Sequence, residues 1–169
     1  MAINLNGGKN MIYLAGPCDT DNRTLMVNIA DYIKFLYTDR HLGEVYCPWE
    51  LKIENAWDYT QEVWAKKVFD KDVEAINAAD FVIMISVGRH STAGTNWEQG
   101  YAYALGKPVY VIQITEETTS LMTYCGCKDF YNTGNNMKDI KNALYQIFLD
   151  TTSTIQIDFQ KHDCATTLT

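Results

Sequence analysis

Two carboxylates in this chain sit where they could do chemistry. Glu98 lies in Gly94-Thr95-Asn96-Trp97-Glu98-Gln99-Gly100-Tyr101. The spacing Thr95-x-x-Glu98 fits a capping box, with Glu98 accepting a bond from the Thr95 backbone N–H. The same position fits a nucleophile. A first-turn carboxylate feels the positive helix end and stays ionised. An ionised, oriented carboxylate is what attack on a sugar carbon requires. Asp72 shares a predicted helix face with Trp64, Val68 and Ile76 at spacings of four. A carboxylate in an apolar stripe breaks the local rule, and such breaks concentrate at functional sites. Burial raises a carboxyl pKa and suits it to hold or pass a proton. Lys71 and Glu74 bring the polar face close, so an edge position on the helix is the alternative.

Other residues carry weaker signals. Tyr13 is the only polar-tipped side chain of the first apolar run. A tyrosine there is core with its hydroxyl satisfied, or it orients a carboxylate near the strand end. Trp49, Trp57, Trp64 and Trp97 offer planar surfaces for a base, although a tryptophan alone is more often core or rim. His41, His90 and His162 show neither triad nor metal spacing. Gly16-Pro17 and Gly94-Thr95 match no phosphate-loop or dinucleotide fingerprint. No metal, nucleoside triphosphate or dinucleotide cofactor is expected from these spacings.

The elements that must position these residues alternate along the chain. Met11–Ala15 reads as a buried strand closed by Gly16-Pro17. Leu25, Ile29, Tyr32, Ile33 and Leu36 follow at helical spacing, with cap candidates at 20–22. Val45–Cys47 is a short second strand stopped by Pro48. Asp58–Ala79 is helical, Phe81–Val87 is the clearest strand, and Thr95–Leu105 is a helix stopped by Gly106-Lys107-Pro108. Val109–Ile114 is a further strand and Asn136–Leu149 a last helix. Residues 1–10 read as a loose leader, and 151–169 as a Thr-rich tail with little pattern. Such alternation predicts one α/β domain over 1–169 with a mostly parallel sheet. Ligands in such folds sit beyond the carboxyl ends of the strands. The loops 16–23, 48–57 and 88–98 therefore matter most.

Composition narrows the partners. Of 169 residues, 47% are hydrophobic and 21% charged, which excludes a disordered chain or a coiled-coil rod. The formal charge of −7 repels a phosphate backbone, so nucleic acid is not the expected partner. A small nucleoside ligand remains compatible. The apolar runs are too short to span a membrane, and no signal peptide is read at the start. Five cysteines, an odd number, favour free thiols in a reducing cytoplasm.

The ordered set of motifs resembles the nucleoside 2-deoxyribosyltransferase family. It runs through Ile12-Tyr13-Leu14-Ala15-Gly16-Pro17, then Val63-Trp64-Ala65 with Asp72, then Ala79-Asp80. The strongest piece is Gly94-Thr95-x-x-Glu98-x-Gly100-Tyr101-Ala102-x-Ala104-x-Gly106-Lys107-Pro108-Val109. Order and spacing agree from about Ile12 to Met122.

The resemblance implies a flavodoxin-like, doubly wound five-stranded sheet with helices on both faces. It also implies a homo-oligomer with shared active sites. Glu98 would attack C1′ of a 2′-deoxyribonucleoside, Asp72 would handle the proton on the base, and Tyr13 would hold the nucleophile. A second free nucleobase would then replace the first, with overall retention. Gly16, Asp19, Trp49, Trp64, Thr92, Gly94, Ser120 and Met122 are the candidate substrate contacts.

Two positions depart from the family. Thr92 stands where an aspartate is common, six residues before the nucleophile. Ser120-Leu121-Met122 stands where the family has Asn-Leu-Met, donated by a neighbouring subunit. The related N-glycosidases of 2′-deoxynucleoside 5′-monophosphates use hydroxyl residues there to bind phosphate, and Arg23 or Arg89 would add charge. The family's C-terminal carboxylate is not carried over, because this tail is longer and ends in Thr169. Base exchange is the first reading and monophosphate hydrolysis the second. A catalytically silent ligand-binding domain is the third.

Overall fold

The computed structural model describes residues 9–163. Five strands, β1 (Asn10–Ala15), β2 (Gly43–Tyr46), β3 (Phe81–Ser86), β4 (Val109–Gln113) and β5 (Asp129–Asn132), form one sheet. Their order is β2-β1-β3-β4-β5, and every neighbouring pair is parallel. Parallel strands are buried on both faces and read as unbroken apolar runs. All six residues of β3 and all five of β4 are buried, which is why both read as unbroken apolar runs in the sequence.

Five helices cover the sheet: α1 (Arg23–Tyr37), α2 (Gln61–Ala78), α3 (Ala93–Ala104), α4 (Leu121–Cys125) and α5 (Met137–Asp163). α1 and α5 lie on one face. Their Ile29, Ile33, Leu36, Ile140, Leu144 and Ile147 share a core with Ile12, Leu14, Ile83 and Ile112 of the sheet. α2 and α3 cover the other face, where Ile76 and Ala102 join Tyr13, Ala15, Val82, Met84 and Val111. This is the flavodoxin-like doubly wound arrangement expected above. The strand order reverses between β1 and β3, and the crevice at that reversal is where such folds bind ligands.

Several boundaries differ from the sequence reading. β5 and α4 were not anticipated. β5 is a four-residue edge strand, and α4 has only five residues. Asn10 belongs to β1 rather than to a leader. α2 begins at Gln61 rather than Asp58, capped by Thr60, whose side chain accepts from the Val63 N–H. The helix expected to end at Leu149 continues to Asp163. The Thr151 and Thr152 hydroxyls bond back to the carbonyls of Ile147 and Phe148, and the Tyr37 hydroxyl meets Thr151 at 2.7 Å. Residues 1–8 of the expected leader and 164–169 of the expected tail lie outside the described residues.

The predicted stop of α3 is present in full. Gly106 has φ +70°, a left-handed conformation that glycine adopts without strain. Its N–H bonds to Tyr103, and that of Lys107 to Ala102, closing the helix as a Schellman motif. The Lys107 ammonium then reaches the Asn77 carbonyl at 2.9 Å, at the end of α2. The two helices that carry the candidate carboxylates are thus tied together at one end.

Candidate active site

The site is built from two neighbouring strands. Tyr13 of β1 and Tyr46 of β2 are register partners. Side chains alternate across a strand, so register partners point to the same face. Their rings stack with centroids 5.5 Å apart and planes 18° from parallel. Each hydroxyl then donates to a carboxylate from a different helix. Tyr13 bonds Glu98 Oε1 of α3 at 2.9 Å. Tyr46 bonds Asp72 Oδ1 of α2 at 2.8 Å. Two tyrosines in register therefore gather two carboxylates that lie 26 positions apart in the chain.

Burial governs the electrostatics. It pushes Glu98 up to about 7; the Tyr13 hydrogen bond acts against this, and the charge of Asp72 adds to it. Asp72 is also raised by burial, with the Tyr46 hydroxyl pulling the other way. Both tyrosines are raised as well, chiefly by burial and then by the carboxylates beside them. They stay protonated and act as donors.

Glu98 is not in the first turn of α3, contrary to the expectation from sequence. α3 begins at Ala93 with Thr92 as its cap, so Glu98 lies beyond the first turn. There the helix dipole has faded, and burial decides the protonation. The capping box is not formed either. The Thr95 N–H bonds to Thr92 Oγ1 at 3.2 Å, and Glu98 is held by Tyr13. The apolar stripe around Asp72 is corrected too. Ile76 is buried, but Trp64 is 44% exposed within the single chain. Asp72 sits where that stripe passes from core to surface.

The remaining candidates are scattered. Gly16 is buried, and a Cβ there would lie 2.5 Å from Met26 Cε, so this glycine serves packing. Asp19 accepts from the Asn22 N–H and side-chain amide, which lowers its pKa and orders the loop before α1. Trp49 packs against the α1 and α5 face, away from Tyr13 and the carboxylates. Thr92 and Ser120 cap α3 and α4. A Cβ at Gly94 would meet only Thr92 Oγ1, at 4.0 Å, so within the single chain there is open space beside it at the start of α3. Met122 is 82% exposed.

Two residues near the carboxylates were missed from sequence. The sequence pattern places Tyr46 only within a short strand. Cys18 follows β1, and burial, then Glu98 and Asp72, push its thiol up. Strand register is the signal that would have found Tyr46. Among the described residues, no three His, Cys, Asp or Glu side chains gather to hold a metal. No described helix is long and apolar enough to cross a membrane.

A parallel doubly wound sheet with two tyrosine-held carboxylates near its switch point defines a class of small-ligand α/β proteins. The family model for nucleoside 2-deoxyribosyltransferase matches residues 12–153. The chain belongs to that family, whose members are enzymes. It is similar to the 2-deoxyribosyltransferase of Bacillus psychrosaccharolyticus, with 29% identity and a TM-score of 0.60 over 78% of this chain and 90% of that one. A conserved protein from Enterococcus faecalis shares the fold at 20% identity, with a TM-score of 0.64 over 82% of this chain and 99% of that one. So does a CMP N-glycosidase from Clostridium botulinum at 18% identity, with a TM-score of 0.54 over 80% and 98% of the two chains. No curated protein is similar enough to this chain to count as a match.

Proposed function

We propose that this protein exchanges the base of 2′-deoxyribonucleosides through a covalent deoxyribosyl-Glu98 intermediate. One observation carries the reading: Glu98 is held by the Tyr13 hydroxyl at 2.9 Å, with Asp72 close enough to raise its pKa. In the first half, Glu98 forms a bond to C1′ while the C1′–N bond breaks and its electron pair leaves with the base. Asp72 gives the departing nitrogen a proton. In the second half, an acceptor base attacks C1′ from the face the first one left and returns a proton to Asp72. Glu98 is released, and two inversions give retention. No cofactor takes part.

A chromatographic assay tests this. Deoxynucleosides and their 5′-monophosphates are each incubated with and without a different free base. A new nucleoside that forms only with acceptor base is the expected result. Free base released from monophosphates without acceptor would overturn base exchange in favour of hydrolysis. Thr92 and Ser120 are the observation behind that second reading. Both Thr92 contacts, to the Thr95 N–H and hydroxyl, stay within the start of α3, which favours the first.

The α2 and α3 face also supports a shared-site oligomer. Phe69, Trp97 and Tyr101 form a ladder of rings with centroids 5.3 and 5.1 Å apart. Trp97 is 46% exposed and Leu121 79%. Exposed apolar patches of this kind mark interaction surfaces, and a second copy is the occupant we propose. Light scattering should give at least a dimer, and Met122→Asp should weaken both assembly and turnover. A fully active monomer would overturn the shared site.

A further inference from the structure

We propose that Tyr46 is the positioning residue for Asp72, presenting one carboxylate oxygen to the base by holding the other. This rests on the base-exchange reading above and concerns the same site. The geometry is specific. Tyr46 donates to Asp72 Oδ1 at 2.8 Å, and among the described residues this is the only hydrogen bond of that carboxylate. Oδ2 is left to carry the proton. The Tyr46 ring is fixed in turn by its stack on Tyr13 and by strand register. Asp72 comes from a helix with a single fully buried residue, Ile76, four positions further on. Packing of α2 alone therefore constrains Asp72 loosely, and the tyrosine supplies the missing constraint.

The bond also acts on the chemistry. When Asp72 gives its proton to the leaving nitrogen it becomes a carboxylate. A hydroxyl already aimed at Oδ1 stabilises that charge without reorganisation. Tyr46 keeps its own proton throughout. When the acceptor base returns a proton to Asp72, the same bond persists to the neutral acid. The two stacked tyrosines thus divide the work: one orients the nucleophile and the other the proton carrier.

The test separates positioning from simple tethering of α2. Tyr46→Phe keeps the ring stack and removes only the hydroxyl. It is assayed on natural deoxynucleosides and their 5′-monophosphates, and on 4-nitrophenyl 2-deoxyriboside, whose leaving group departs as an anion and needs no proton. The expected result is a loss of kcat/KM on the natural substrates of roughly 10- to 100-fold, the scale of one hydrogen bond to a charged group. On the activated glycoside the loss should be at most about twofold. Equal losses on both substrates would make Tyr46 a structural tie and overturn the proposal, as would no loss on either. The wild-type chain is measured first. If it turns over neither kind of substrate, the base-exchange reading fails, and this inference with it.

Discussion

Glu98→Gln is expected to abolish turnover and at the same time stabilise the fold. The two effects share a cause. Burial holds the Glu98 carboxyl at about 7, against an ordinary value of 4.5. A raised acid binds more protons folded than unfolded between those two values. Stability therefore falls as pH climbs through that window, and above about 7 the full cost of a buried charge is present. A shift of this size corresponds to roughly 3 kcal/mol. Glutamine removes the charge and still offers Tyr13 an acceptor. Thermal unfolding at pH 8 should show the variant melting several degrees above wild type, given about 2–4 °C per kcal/mol for a chain of this length. The gap should narrow towards pH 5. Activity should fall by about 10⁴-fold or more, as for other removed nucleophiles. A variant that unfolds at lower temperature than wild type would mean that Glu98 serves the fold and not the reaction. For wild type, only the ionised form attacks, so activity should decline as pH drops through about 7.

Asp72→Asn is the second large effect. A group that moves a proton to or from a leaving base contributes about 10²- to 10⁴-fold. Asparagine can still accept from Tyr46 but cannot carry the proton. Loss should therefore grow with the basicity of the leaving nitrogen, and kcat/KM across a series of bases measures this slope. The charge of Asp72 also helps to keep Glu98 protonated. A flat loss across all bases would deny Asp72 the proton role.

The fold was largely legible because parallel strands announce themselves. β3 and β4 are apolar throughout, and each is followed or preceded by a glycine or proline stop. β5 was not legible: Asp129 and Asn132 are exposed ends of a four-residue edge strand, and its pairing with β4 is a tertiary fact. The Thr-rich run after Leu149 reads as poor helix because threonine has low propensity. Its hydroxyls instead bond the preceding turn, and Thr152 is buried. Asp72 and Tyr13 stand out because polar groups interrupt apolar patterns, and Glu98 because of its spacing from Thr95 at a predicted helix start. Tyr46 escaped because its partner is set by strand register, which no local spacing encodes. Trp49 fails for the converse reason: its type suggested a base platform, but it packs on the other face of the sheet.

The stacked tyrosines also bear on how such a protein is altered for new substrates. The strand pair that carries Tyr13 and Tyr46 is fixed by sheet register. A one-residue slip of β2 would turn Tyr46 to the opposite face. The loops beyond the strand ends are under no such restraint. Engineers seeking a different ligand have a register-fixed module to leave untouched, two adjacent strands and the acids they hold, and a separate set of loops to randomise. Holding the carboxylates and shaping the crevice around them are separable design variables in this chain.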